Sequence, residues 1–237
     1  MKRIVISQPM FFPWVGLFEQ LRLADVFVHY DDVQLPQGRT FITRVQLKGA
    51  DGVHWLTMPV QRGKHLARIN DTNTSEEQNW RQAHLKTLRH MYAKTPFCKA
   101  MLDVVELVYS MNTTNVAALN AIAIEHIAAF FDLECDFRTS SRLGISGASS
   151  QRLLELVQRL DGTVYVTGHG ARNYLDHELF DASGVRVEYM RYNQTEYNQL
   201  YGSFTPFVSI LDLMANEGKD GRRVIASPSI YWKDFIT

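Results

Sequence analysis

The first 34 residues constrain the fold most, because they contain two short apolar runs separated by a loop and a helix-length segment. The first run covers residues 4–6, and it is ended by Pro9 and Pro13, which cannot donate a backbone hydrogen bond. A short helix fits residues 19–24, and a second apolar run covers residues 26–30. A strand, a loop, a helix and a strand form a βαβ unit with two parallel strands.

Unusual polar and aromatic residues follow both predicted strands. Gln8, Trp14 and Gly16 follow the first strand, and Asp31 and Asp32 follow the second. In parallel α/β sheets, ligands bind beyond the carboxyl ends of the strands, so we expect both groups to line one pocket. The amide of Gln8 suits hydrogen bonding, the ring of Trp14 suits stacking, and Gly16 gives a phosphate access to backbone N–H groups. The alternative is a proline-rich turn around a buried aromatic ring.

The two adjacent carboxylates are candidates for catalysis. Asp31 and Asp32 suit binding of a divalent cation, of sugar hydroxyls or of a cationic amine. Since neighbouring strand residues point to opposite sides, the alternative is one turn-capping acid and one solvated acid. The nearby Arg44 and Lys48 are predicted to bind phosphate, with solvated charges as the alternative. No histidine cluster nearby suggests zinc, and we name no metal ligand.

A third candidate loop follows a predicted strand over residues 164–167. Gly168, His169 and Gly170 stand between this strand and a predicted helix over residues 172–180. Backbone N–H groups and the positive end of a helix meet an anion in such loops. His169 suits general acid or base catalysis, although a solvated surface histidine is the alternative.

The rest of the chain predicts further strands and helices. A hairpin is expected from residues 41–47 and 53–60, and another strand at 69–72. Three helices are predicted at 75–94, where Ser75 caps the start, at 97–111 and at 115–131. They are followed by a strand at 137–139, a helix at 150–160 and a final strand at 185–189. The sequence therefore predicts an α/β fold: one domain over 1–237, with a mostly parallel, Rossmann-like sheet, a small β-hairpin and a helical insert at 75–131.

Composition limits the classes of function. Twenty-five basic residues balance twenty-five acidic residues, so we expect no extended nucleic-acid surface. The sequence shows neither a signal peptide nor an apolar run long enough for a membrane span, and two cysteines lack metal-site spacing. We therefore expect a cytoplasmic protein and can name no cofactor. The aromatic-rich residues 202–237 predict either a cover over the sheet or a subunit contact in a homo-oligomer.

Several of these residues, together with further motifs along the chain, resemble the sequence motifs of the WbqC-like family. Matching segments occur in order along nearly the whole chain, and they are 7–9, 13–16, Phe18, 31–34, 55–60, Trp80, 92–97, 167–176, 197–199, Phe204 and 209–213. The chain departs from the usual Asn-Arg-Asn stretch before the second hairpin strand, where it retains only Arg44.

The resemblance implies a function, because members of this family are associated with bacterial surface-polysaccharide gene sets that make nucleotide-linked aminosugars. It implies a transferase that forms an amide on such a sugar from an acyl or aminoacyl donor. A nucleotidylyltransferase-like enzyme or ATP-dependent ligase is one alternative, although the first loop lacks the paired histidines of those folds. A non-catalytic module that binds a glycan or a nucleotide sugar is the other.

Overall fold

The computed structural model describes residues 1–61 and 66–236. Strand β1 (Arg3–Ser7), helix α1 (Val15–Leu23) and strand β2 (Val26–His29) form the predicted βαβ unit. The two strands are parallel, with Ile4 beside Val26. Helix α1 begins earlier than predicted, because Pro13 lies just outside the helix and its missing N–H costs no helical hydrogen bond.

The predicted hairpin is confirmed. Strands β3 (Arg44–Gly49) and β4 (Gly52–Thr57) pair in antiparallel fashion. Gly52 has a φ of 121°, a backbone conformation that favours glycine at this turn. The predicted strand at 69–72 is wrong, because Ile69–Asp71 is a 3-10 helix. The backbone N–H groups of Ile69 and Asn70 donate instead to carbonyl groups of the segment after β2.

The three predicted helices are α2 (Trp80–Met91), α3 (Cys98–Ser110) and α4 (Val116–Phe130). The predicted start of the first helix at Ser75 is wrong. The N–H of Ser75 donates to the carbonyl of Pro59 and extends the pairing of that segment with residues near Thr74. This hydrogen bond holds Ser75 outside the helix.

The main sheet continues with strand β5 (Asp136–Thr139), helix α5 (Ser149–Arg159) and strand β6 (Val164–Thr167). The helix predicted at 172–180 is divided into a 3-10 helix, His169–Asn173, and α6 (His177–Ala182), because Asp176 caps the second part by accepting a hydrogen bond from Leu179 N–H. Strand β7 (Arg186–Met190) is not the last strand. Helix α7 (Ile210–Glu217), strand β8 (Ser229–Tyr231) and helix α8 (Trp232–Ile236) follow it.

The six-stranded sheet has the order β5-β2-β1-β6-β7-β8. The first five strands are parallel, and β8 pairs antiparallel with β7. This order and the crossover helices confirm the mostly parallel, Rossmann-like α/β fold. Residues 202–236 cover the sheet through the buried helix α7 and extend it through β8. A cover over the sheet is one of the two alternatives that the sequence predicts for this segment.

Hydrophobic cores lie on both faces of the sheet. Along β1, Val5 packs into the core that contains α1, α3, α4 and α7. Ile4 and Ile6 pack into the second core, which contains α5 and α6. Burial on both faces explains why β1, β2 and β6 are continuous apolar runs rather than alternating ones. The polar ends of these strands are left at the sheet edge, where ligands bind in this type of fold.

Candidate functional site

A cleft of about 970 Å³ opens at the carboxyl ends of β1, β2 and β6, and we call it the main cleft. The chain runs outward from β1 to β2 and β5 on one side and from β6 to β7 on the other. The strand order therefore reverses between β1 and β6, which is the preferred ligand position in open α/β sheets. Gln8, Asp32 and Thr167 all line the cleft, so the three predicted strand ends converge on it.

An ion pair between Asp32 and Arg152 lies in the main cleft. Nη2 of Arg152 donates to Oδ2 of Asp32 at 2.5 Å, and the side chains are only 6% and 12% exposed. Arg152 also donates to the carbonyl of Ile145 and to the hydroxyl of Tyr30. Burial opposes ionisation of Asp32, but hydrogen bonds from Arg152 and Ser140 outweigh it and lower the pKa of the carboxyl group. Asp32 is therefore a carboxylate at neutral pH.

Asp31 has different surroundings and does not line the main cleft. Ser141 donates to Asp31 through its backbone N–H at 3.0 Å and through its hydroxyl at 2.7 Å. Asn70 donates to the same carboxylate at 3.3 Å, and the Ser140 hydroxyl lies 3.0 Å from it. These donors use the acceptor capacity of a buried group. Asp31 thus ties β2 to the segments before α2 and after β5, and of the two predicted acids only Asp32 reaches the cleft.

A smaller depression of about 380 Å³ adjoins the main cleft, and we call it the side pocket. Both share Trp14, Gly168 and Gly170, and the side pocket also contains His169. Nε2 of His169 lies 2.5 Å from the carbonyl oxygen of Met190. A carbonyl only accepts hydrogen bonds, so Nε2 donates a proton to it. The neutral tautomer with its proton on Nε2 has the Nδ1 lone pair that a general base uses.

The glycines of the loop after β6 have different surroundings. A Cβ atom on Gly168 would lie 2.8 Å from the hydroxyl of Tyr192 and 3.0 Å from Nε2 of Gln20. The Gln20 amide donates to that hydroxyl, so Gly168 leaves room for this hydrogen bond. A Cβ atom on Gly170 would meet nothing within 4 Å. Gly170 therefore borders open space in the two depressions.

The aromatic loop after β1 lies as predicted at the same edge. Trp14 lines both depressions, and its ring packs against Tyr192 at 4.9 Å and Phe207 at 5.4 Å. Gly16 is buried in α1 and is not a lining residue of the cleft. A Cβ atom at Gly16 would overlap the indole of Trp14, so this glycine gives space to the ring.

The two predicted phosphate ligands lie outside the main cleft. The guanidinium of Arg44 covers the ring of Trp55 on the hairpin at 3.7 Å. Lys48 is 5% exposed, and its ammonium donates to Oε1 of Gln199 and to the carbonyls of Gly202 and Ser203. The structure therefore does not bring either cation together with Gln8 and Asp32.

Sequence reasoning missed the part of the site contributed by α5. Gly147, Ala148 and Ser149 line the cleft at the N-terminus of α5, followed by Arg152 in its first turn. Ala148 provides no side-chain cap, and the first turn holds no acid. Neither the cap nor the first turn of α5 therefore supplies a carboxylate to its N-terminal N–H groups. The sequence did contain a signal for this part of the site. A loop of small residues precedes an amphipathic helix here, as loops also precede helices after β1 and β6.

In residues 1–61 and 66–236, no three or more histidine, cysteine, aspartate or glutamate side chains are grouped to hold a metal ion. Among the helices in this part of the chain, none has both the length and the apolar character required to cross a membrane.

The architecture defines a Rossmann-like α/β protein with a cleft at the switch point of its sheet. The model of the WbqC-like protein family matches residues 8–224. The chain is also 31% identical over 223 residues to the uncharacterized protein Rv1507c of Mycobacterium tuberculosis. The aligned region covers 93% of this chain and 96% of that protein. No solved structure matches. The chain belongs to the WbqC-like protein family.

Proposed function

We propose that this protein is a transferase that forms an amide on a nucleotide-activated aminosugar by acyl or aminoacyl transfer in bacterial polysaccharide biosynthesis. The observation that carries the proposal is the junction of the main cleft with the side pocket at Gly168 and Gly170. Two neighbouring spaces allow one molecule with an amine and one with an activated carbonyl to meet. The mixed polar and aromatic lining of the main cleft suits the larger substrate, the nucleotide sugar.

The main cleft offers complementary groups for a nucleotide sugar. The uncapped N-terminus of α5 suits a diphosphate, because its N–H groups and the helix dipole favour an anion. The ring of Trp14 offers a stacking surface, and the amide of Gln8 offers hydrogen bonds. The carboxylate of Asp32 suits the ammonium or a hydroxyl of the sugar, because its low pKa keeps it charged. This carboxylate orients the substrate. Its low pKa also makes it a weak base.

His169 is the residue proposed to accept the proton in transfer. The sugar ammonium first loses one proton to water, and the neutral amine then attacks the carbonyl carbon of the donor, so that a C–N bond forms as the carbonyl π pair moves to oxygen. Nδ1 of His169 takes the proton that the nitrogen loses. The N–H groups of His169 and Gly170, which precede the first hydrogen bond of the 3-10 helix, suit the developing oxyanion. The oxyanion pair then re-forms the C=O bond, the bond from the carbonyl carbon to the leaving group breaks with its electron pair, and His169 gives the proton to the leaving group.

The test is product detection by mass spectrometry. The full chain is incubated with UDP-glucosamine or another nucleotide-linked aminosugar and with acyl thioesters or aminoacyl esters as donors. We expect a mass increase equal to the acyl group, and none with UDP-N-acetylglucosamine, whose amine is blocked. His169→Asn should lower the rate by about 10²–10⁴-fold, the usual contribution of a general base.

Asp32→Asn separates orientation from proton transfer in this assay. We expect a raised KM for the aminosugar, while the pH profile of the rate is kept, because His169 is intact. Binding of the sugar nucleotide without a mass increase from any donor would favour the binding module. A mass change that requires ATP and releases pyrophosphate would favour the ligase.

A further inference from the structure

A third depression of about 270 Å³ adjoins the other two at Trp14, and we call it the apolar pocket. It shares Met10, Trp14 and Phe41 with the main cleft, and Trp14 and Phe207 with the side pocket. The rest of its lining is Phe11, Pro13 and Val45. None of these side chains carries a carboxylate, a carboxamide, a hydroxyl or a cationic group. The chemistry of this pocket therefore differs from that of the main cleft.

Backbone groups on the buried side of the apolar pocket, at Phe11, Pro13 and Val45, are already paired. The N–H of Phe11 donates to the carbonyl of Phe41 at 2.9 Å, and the carbonyl of Pro13 accepts from Ile210 N–H at 2.8 Å. Val45 pairs with Leu56 in the hairpin. A nucleobase or a sugar placed here would lose hydrogen bonds to water without replacing them, at a cost of roughly 1–3 kcal/mol for each group. A hydrocarbon group has no such cost.

The size and position of the pocket limit the length of a chain that fits. Its volume gives room for roughly nine non-hydrogen atoms, if each takes about 30 Å³, the share of one water molecule. Phe11 and Val45 are 1% and 2% exposed and form the buried side. Phe41 and Phe207 are half exposed and stand at the rim. An occupant therefore enters at the rim and is enclosed along much of its length.

We infer that the apolar pocket binds the hydrocarbon part of the acyl group that the donor carries. This inference rests on the proposed function, and it specifies the donor class as a hydrocarbon acyl group of medium length. Continuity with the side pocket at Trp14 and Phe207 places such a chain next to the loop that holds His169. The reacting carbonyl would then lie at the mouth of the apolar pocket.

The first experiment measures binding without transfer. Acetyl, hexanoyl and decanoyl thioesters of N-acetylcysteamine are titrated calorimetrically into the full chain with no aminosugar present. We expect affinity to rise by up to about fourfold for each methylene from acetyl to hexanoyl, as the burial of apolar groups predicts. The gain should level off before decanoyl, because the pocket is then filled.

Rim variants assign the chain-length effect to this pocket. Phe41→Ala and Phe207→Ala should each reduce the preference for hexanoyl over acetyl by roughly tenfold, with no loss of secondary structure. Leu107→Ala is the matched control, because Leu107 is a similarly exposed apolar residue on α3 and should leave the preference unchanged.

The outcomes separate this inference from the proposed function. Chain-length-dependent binding that the rim variants abolish supports the pocket, even if no aminosugar is ever acylated. Transfer of acetyl and hexanoyl groups with equal KM values and no effect of Phe41→Ala would overturn the pocket and leave the transferase intact. No binding at any chain length would also overturn it. So would a dimer in sedimentation that Phe207→Ala dissociates, since a second copy would then occupy the pocket.

Discussion

Nη2 of Arg152 donates to Oδ2 of Asp32 at 2.5 Å, and this ion pair joins the first turn of α5 to the segment after β2 within the main cleft. Both side chains are nearly buried, so each charge depends on the other for compensation. Ser140 also donates to Asp32 at 2.6 Å. The pair therefore holds two walls of the cleft at a fixed separation.

Removal of one charge of this pair should destabilise the fold. Arg152→Met leaves the Asp32 carboxylate without its partner, and we expect unfolding to become easier by about 3 kcal/mol in urea titrations. The value is at the low end for buried pairs because the cleft is open to water. The double variant Asp32→Asn with Arg152→Met should recover more than half of the loss. Arg159→Met, on an exposed part of α5, is the control, and an equal effect there would refute this role for the pair.

The two glycines after β6 should differ in their tolerance of alanine. Gly168→Ala should destabilise the fold by about 1–3 kcal/mol, because the new methyl group displaces Tyr192 or Gln20. Gly170→Ala should leave the thermal midpoint nearly unchanged, because its Cβ meets open space. That methyl group would protrude into the site, so nucleotide-sugar affinity should fall in Gly170→Ala. Thermal unfolding and calorimetry measure the two effects, and equal stability losses would contradict the assignment.

Lys48 should be important for stability rather than for ligand binding. Lys48→Met removes the charged donor that Gln199, Gly202 and Ser203 share, so residues 199–203 lose the hydrogen bonds that hold them to β3. We expect a loss of about 2–3 kcal/mol in the free energy of unfolding. Affinity for a nucleotide sugar should be unchanged below the melting temperature. A stable variant with weakened affinity would instead identify Lys48 as the phosphate ligand that the sequence predicted.

Asp212 should make stability depend on pH. Burial raises the pKa of Asp212 to about 6, and its Oδ1 accepts a hydrogen bond from the Tyr197 hydroxyl at 2.9 Å. In the unfolded chain an aspartate titrates near 3.9, so between about pH 4 and pH 6 the folded state binds more protons and stability falls as pH rises. A difference of two pKa units corresponds to about 2.7 kcal/mol.

Asp212→Asn removes this effect. The unfolding free energy of the wild type minus that of the variant should therefore fall by about 2 kcal/mol from pH 4 to pH 7. Burial lowers the pKa of His84 to about 4, which gives the opposite slope, but that contribution cancels in the difference. Asp220→Asn, at an exposed aspartate, is the control for the loss of one carboxylate. A flat curve for Asp212→Asn would show that Asp212 titrates normally.

The fold was largely predictable because its signals are local. The apolar runs at β1, β2 and β6 and the helices α3, α4 and α5 are each encoded by neighbouring residues. Ser75 and the segment 69–72 were misassigned because their backbone groups pair with distant residues, Pro59 and the loop after β2. No local propensity contains that information.

The location of the site was predictable from the sequence, but the hydrogen bonds of its side chains were not. The adjacent acids were visible in the sequence, but their different roles depend on Ser140 and Ser141, about 110 positions further on. The partner of Asp32 is 120 positions away. Likewise, Lys48 is a surface cation by composition, and only its distant acceptors in residues 199–203 bury it. The topology of the fold decides which distant polar groups pair, and the spacing of residues in the sequence does not reveal it.

The proposed function requires a nucleotide-linked aminosugar to bind in the main cleft, and hydrogen–deuterium exchange locates that binding along the chain. Exchange is measured on the full chain with and without a panel of UDP- and dTDP-linked aminosugars. We expect slower exchange on ligand addition in residues 6–10, 30–34, 147–152 and 167–174, and no change in α3. Protection confined to other segments, or no protection by any member of the panel at saturating concentration, would show that the main cleft is not the binding site.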